Sequence, residues 1–165
     1  PCREKLKEAL KIIMDGDERM LNTFIQDFRE EFMTLPPEDI AYPRSCNGLK
    51  KFRGTDRLFA LGAPKHVKGA ILYNHLIDEN KLGNKYVSIQ EGDRVKFVNL
   101  KDNIYQASAF SFMTKIPKEL DILPMVDYTS QYADSFLAPL RVITDKMNWI
   151  LKNDEVGTLE DFLDE

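Results

Sequence analysis

Partway through this chain the apolar side chains change period, and the change limits the folds open to it. Leu6, Ala9, Leu10 and Ile13 recur at helical spacing, and so do Leu21, Phe24, Ile25, Phe28 and Phe32. From Lys85 the spacing becomes two: Tyr86-Val87-Ser88-Ile89, a turn at Glu91-Gly92-Asp93, then Val95, Phe97 and Asn99. A helix buries a stripe and a strand buries alternate residues, so blocks of each kind predict an α+β fold, helix-rich with a small antiparallel sheet. The 165 residues suffice for one domain with a real core, or one domain and a small appendage.

Local signals divide the chain further. Gly16 breaks the first helix, and Asp17 predicts the N-cap of the second, which Leu35-Pro36-Pro37 ends. The phenylalanine stripe on that helix reads as a face packed on the core. Pro64 predicts a helix start running through Val67, Ala70, Ile71, Asn74 and Ile77, with Asn80 and Gly83 as its stop. Residues 86–89 and 95–99 predict a β-hairpin, and Ala107–Phe112 a third strand. Asp127 predicts the cap of a last helix carrying Tyr132, Phe136, Leu140, Ile143 and Met147, bent at Pro139.

Between Pro43 and His75 the charge reverses. Seven cations (Arg44, Lys50, Lys51, Arg53, Arg57, Lys65 and Lys68) face one acid, Asp56, so the segment carries +6 in a chain of net charge −4. Pro43, Ser45, Asn47 and Gly48 open it as a loop. Lys and Arg neutralise phosphates, while Ser45, Asn47 and backbone N–H groups near Gly48 can bond phosphate oxygens. Lys65, His66 and Lys68 stand at a predicted helix N-terminus, where the dipole favours an anion and disfavours cations unless an anion arrives. The segment therefore reads as a phosphate-backbone cradle, with a solvated basic loop as the alternative.

Other functional classes have little support. No apolar stretch approaches the roughly 18–20 residues of a membrane span. The start, PCREKLKEAL, lacks a hydrophobic signal region, and Pro1 in place of Met suggests a piece of something longer or a processed product. Cys2 and Cys46 read as reduced cytosolic thiols, a disulfide being the alternative. His66 and His75, nine apart, have no further ligand at zinc spacing, and Asp15-Gly16-Asp17 reads as a turn rather than a metal motif. No nucleophile triad or Gly-rich phosphate loop is present. Thr158-Leu159-Glu160-Asp161 resembles a capping box, and Leu159, Phe162 and Leu163 would share one helical face in an acidic tail. That pattern suits docking into a partner's groove, or packing back on the parent domain.

The strings PRSCNGLKKF, APKHVKGAILYNHLI, IQEGDRVKFVNL, MVDYTSQYADSFLAPL and TLEDFLDE, in this order, resemble the C-terminal thumb of tailed-phage replicative family B DNA polymerases. The resemblance implies a thumb over 1–153 that grips primer–template double-stranded DNA by its phosphates, and a clamp-binding tail over 154–165. It implies duplex contacts at Arg44, Ser45, Asn47, Lys50, Lys51, Lys65, His66 and Lys68, with Phe52 in an aromatic position. Leu159, Phe162 and Leu163 would anchor the tail on a sliding clamp. It further implies that the remaining polymerase domains or subunit are partners, that no membrane is involved, and that the chain acts in the host cytoplasm. The palm motifs D-x-x-S-L-Y-P-S and D-T-D-S are missing, so no catalytic residue, metal site or cofactor is expected in this chain; Mg²⁺ belongs to the absent palm. A free-standing nucleic-acid-binding or scaffold protein is the alternative from another class, and an independent nuclease or transferase the third.

Overall fold

The computed structural model describes residues 1–151. The fold is α+β, with helices surrounding a small antiparallel sheet. Helix α1 (Cys2–Asp15) packs on α2 (Glu18–Phe32), a short α3 (Pro37–Ile40) follows, and strand β1 (Tyr42–Ser45) leads into the basic loop. Helix α4 (Lys65–Glu79), strands β2 (Arg94–Asn99) and β3 (Ala109–Phe112), and helices α5 (Tyr128–Tyr132) and α6 (Ala138–Thr144) complete the order.

The expected caps and stops are present. The Asp17 carboxylate accepts from the Met20 N–H at 2.8 Å, which accounts for the Asp15-Gly16-Asp17 cluster as a helix break and cap. The Asp127 carboxylate accepts from the Ser130 N–H at 3.0 Å. Leu21, Ile25, Phe28 and Phe32 are buried, as the stripe requires. Phe28 meets Phe136 edge-on with ring centroids 4.7 Å apart, and Phe32 meets Tyr132 at 5.2 Å. The hydroxyls of Tyr132 and Tyr128 donate to the Ile25 and Leu35 carbonyls, each at 2.7 Å. Helix α2 is thus joined to α5 and the residues just after it by an aromatic cluster whose polar tips are satisfied.

The sheet differs from the expected hairpin. β2 lies in the centre, pairing β1 on one side and β3 on the other, both antiparallel. Residues 86–89 form no strand, because side chains of α4 take up their backbone groups. Asn74 accepts from the Ile89 N–H at 2.8 Å and donates to the Ile89 carbonyl at 3.0 Å, and the Tyr73 hydroxyl donates to the Val87 carbonyl at 3.1 Å. The Gly92 turn does form, with φ +84°, and its N–H donates to the Cys46 carbonyl at 2.7 Å. That places β1, read as loop from its Pro and Ser, beside β2 with Arg44 opposite Val95. All four residues of β1 are exposed, and an edge strand tolerates Pro43 because one side of its backbone needs no ladder bond.

Between α5 and α6, just before Pro139 where a bend is expected, lies a π turn over Ala133–Leu137, in which the Ala138 N–H bonds the Ala133 carbonyl. A proline ring clashes with the carbonyl four residues back, and a wider turn just before it relieves that clash. Among the described residues no helix is long and apolar enough to cross a membrane. The expected tail over 154–165, with Leu159, Phe162 and Leu163, lies outside the described residues.

Candidate nucleic-acid interface

The basic segment occupies β1, the loop that follows it and the first turn of α4. Six of its seven cations make no ion pair among the described residues, although the chain holds 27 acids; Lys65 is the exception. Its ammonium lies 3.4 Å from the Asp134 carboxylate and 3.5 Å from the Asn99 side-chain Oδ1. The start of α4 has neither a side-chain cap nor an acid in its first turn. Asp134, from the π turn, supplies the anion that a cation at that positive end requires.

The loop after β1 is held by a carboxylate. Glu91 accepts from the Gly48 N–H at 2.5 Å and the Leu49 N–H at 2.9 Å. The backbone groups expected to meet phosphate near Gly48 therefore already hold an internal anion, in the manner of a backbone nest. Gly48 adopts φ +100°, and the Phe52 ring lies against it so closely that a Cβ there would stand 2.9 Å from the ring. Phe52 accordingly serves as a prop for the loop. Its carbonyl also accepts from the Ala60 N–H at 2.6 Å. Lys50 and Lys51 stand exposed on the turn, with the Lys51 ammonium 5.1 Å from the Phe52 ring.

The expected contact residues fall into three groups. Lys50 and Lys51 form the first, on the loop that also carries exposed Asn47. Arg44, Lys65 and His66 form the second, where β1 meets the start of α4. The Arg44 guanidinium lies 4.5 Å over the Tyr42 ring, and the His66 ring is 6.2 Å from that of Phe97. Burial and then the nearby Arg44 push the His66 imidazole below its ordinary range, so it stands neutral at pH 7. Lys68 belongs to the third group. Its ammonium lies 5.5 Å over the Phe59 ring, and it lines a groove with Arg57 and Tyr105. Ser45 is exposed on the edge strand.

The remaining candidates are structural. His75 Nε2 lies 3.2 Å from the Glu79 carboxylate on the same helix. Cys46 is fully buried, and burial together with Glu91 and Asp93 pushes its thiol up to about 11. It therefore stays protonated at neutral pH and is a poor nucleophile. Both cysteines are free.

Sequence reasoning did not reach several residues of this surface. Tyr42 and Phe97 pair across β1 and β2 with ring centroids 6.0 Å apart. Buried Gln131 accepts from the Asn99 N–H at 2.8 Å and donates to the Ile40 carbonyl at 2.9 Å, tying α5 to the sheet and to α3. Asn99 in turn donates to Ser130 at 3.0 Å and to Asp134 at 2.8 Å. The one available signal was the aromatic–cation spacing of Tyr42 and Arg44; the rest is assembled from parts of the chain far apart in sequence.

No protein-family model matches the chain. Among curated proteins it is similar to the DNA-directed DNA polymerase of Enterobacteria phage T4, with 24% identity over 144 residues. The match covers 84% of this chain, which spans 15% of that polymerase's length.

Proposed function

We propose that this chain is a DNA-gripping region of a DNA polymerase, the thumb of a family B enzyme. In this role it holds primer–template duplex through backbone phosphates and tethers the enzyme to a sliding clamp. The observation that carries the proposal is the set of six cations that make no ion pair among the described residues, in a chain of net charge −4. An acidic chain with no polyanion to meet has no electrostatic reason to keep them gathered and unneutralised. The similarity to a phage DNA polymerase supports DNA as that polyanion.

Phosphate contacts carry no sequence information, which suits a region that must hold any duplex as it passes. Lys50, Lys51 and Arg44 supply free cations, while Lys65 would exchange part of its contact with Asp134 for phosphate. The chain contributes no catalytic residue in this role, and nucleotidyl transfer with its Mg²⁺ belongs to the palm of the same polymerase.

Replacing Lys50, Lys51, Lys65 and Lys68 together by Ala is expected to lower the slope of log affinity against log salt by about 3–4 units, near 0.9 per phosphate contact. Fluorescence anisotropy with a primer–template duplex between about 50 and 200 mM salt measures it. An unchanged slope would remove these lysines from the interface. For the clamp, Leu159, Phe162 and Leu163 are the proposed anchors, and Phe162→Ala is expected to abolish most retention of the chain on immobilised clamp. Retention equal to that of the unaltered chain would exclude Phe162.

A further inference from the structure

Where β1 meets α4, Arg44 and Lys65 of the grip border a cleft of about 220 Å³ whose aromatic wall the duplex reading does not use. Tyr42 and Phe97 give it an aromatic lining, and the exposed cations Arg44 and Lys65 also border it. Its polar lining comes from Asn99, Asp134 and Ser135. We infer that this cleft takes one unpaired nucleotide, the base against Tyr42 and Arg44 and the phosphate on the Arg44 side.

Three observations lead to that ligand. First, the cleft is smaller than the roughly 300–1,000 Å³ typical of drug-sized ligands, which suits one planar ring system. Second, Tyr42 and Phe97 are tilted by 54° rather than stacked on one another. Tyr42 remains 40% exposed, and the Arg44 guanidinium already lies over its ring. Aromatic rings and guanidinium planes are the surfaces on which unpaired bases stack. Third, Ser135 is only 8% exposed and lines the cleft, and its side chain makes no hydrogen bond among the described residues. No fully buried polar side-chain atom among those residues lacks a partner, so this hydroxyl opens to the cleft. It can donate to or accept from a base edge.

The neighbouring amides are already committed, Gln131 to Asn99 and Ile40, and Asn99 to Ser130 and Asp134. Ser135 and the remaining lone pairs of Asp134 are therefore the groups left to read a base. Asp134 repels phosphate, which places the phosphate toward Arg44. A paired base within a duplex cannot enter such a cleft, so the ligand is distinct from the duplex. The inference rests on the proposed DNA role for the origin of the nucleotide, but its test reads the base and not the phosphates.

The test compares fluorescein-labelled (dT)₄ and (dA)₄ with a tetramer of abasic deoxyribose phosphates, which carries the same phosphates without bases. At least one base-bearing tetramer is expected to bind roughly ten- to a hundredfold tighter than the abasic one, the range for one stacked base. Tyr42→Ala is expected to erase that advantage, bringing the base-bearing tetramers down to the affinity of the abasic one. Titration with dTMP and dAMP separates a strand from a free nucleotide as the source. Binding of the monomer as tight as that of the tetramer assigns the cleft to free nucleotide, and weaker binding assigns it to a strand. Equal binding of all three tetramers, or a base preference that survives Tyr42→Ala, would overturn the inference. A normal base preference with an unchanged duplex salt slope in the lysine variant would instead overturn the grip alone.

Discussion

Phe28→Ala is expected to destabilise the fold by about 3–5 kcal/mol, the usual range for removing a large aromatic ring from a packed core. Phe28 is 1% exposed and sits at the centre of the aromatic cluster, with ring contacts to Phe136 at 4.7 Å, Tyr132 at 5.7 Å and Phe32 at 5.9 Å. The Lys5 ammonium covers it at 5.5 Å. Truncation removes buried apolar area and three ring contacts, each worth about 0.5–1.5 kcal/mol beyond area. Most domains have only about 5–15 kcal/mol in total, so this one change takes a large share of it. Urea denaturation followed by circular dichroism measures the loss. A shift below about 1 kcal/mol would mean that the cluster is not what joins α2 to α5.

Gly69→Ala is expected to destabilise by about 2 kcal/mol, against the direction that helix propensity predicts. Gly69 lies inside α4, where Ala is favoured by about 1 kcal/mol if space allows. Space does not allow it. A Cβ would stand 2.6 Å from the Ser111 backbone nitrogen, 2.5 Å from the Ser111 hydroxyl and 2.9 Å from the Phe110 carbonyl carbon, all on β3. Strand backbone cannot swing aside as a long side chain can, so helix and strand must separate. Overpacking of this kind costs about 1–3 kcal/mol and here lies at the upper end, which outweighs the gain in propensity. The Ser111 hydroxyl also donates to the His66 carbonyl at 2.7 Å, so separation disturbs the turn that carries Lys65 and His66. A loss of duplex affinity should therefore accompany the loss of stability. A Gly69→Ala chain more stable than its parent in urea would refute the close approach of α4 to β3.

These two residues also show what a sequence can reveal. Phe28 was legible because its partners on α2 repeat at helical spacing, and burial along one face follows from that period alone. Asp17 and Asp127 were legible because a cap depends on groups only three residues away. Gly69 was not, since its reason lies in a strand about forty residues on. The predicted hairpin failed for a related cause. Its alternation was genuine, but Asn74 and Tyr73 on a neighbouring helix satisfied the backbone that a second strand would have needed. The place beside β2 was then free for Tyr42–Ser45, whose Pro and Ser gave no strand signal. The charge of the binding surface could be counted directly. Its division into three groups, and the role of Asp134 beside Lys65, depended on the π turn and on loops whose geometry no local pattern encodes.

The Glu91 carboxylate beneath Gly48 and Leu49 has a kinetic consequence. With the loop closed around that internal anion, propped by Phe52 and tied through Cys46 to the Gly92–Asp93 turn, the lysines at its tip hold their places before any ligand arrives. Capture then needs no coupled folding step, and the entropy of ordering the loop has already been met during folding of the chain itself. Encounter becomes a matter of diffusion and long-range attraction, so raising salt should slow arrival more than it hastens departure.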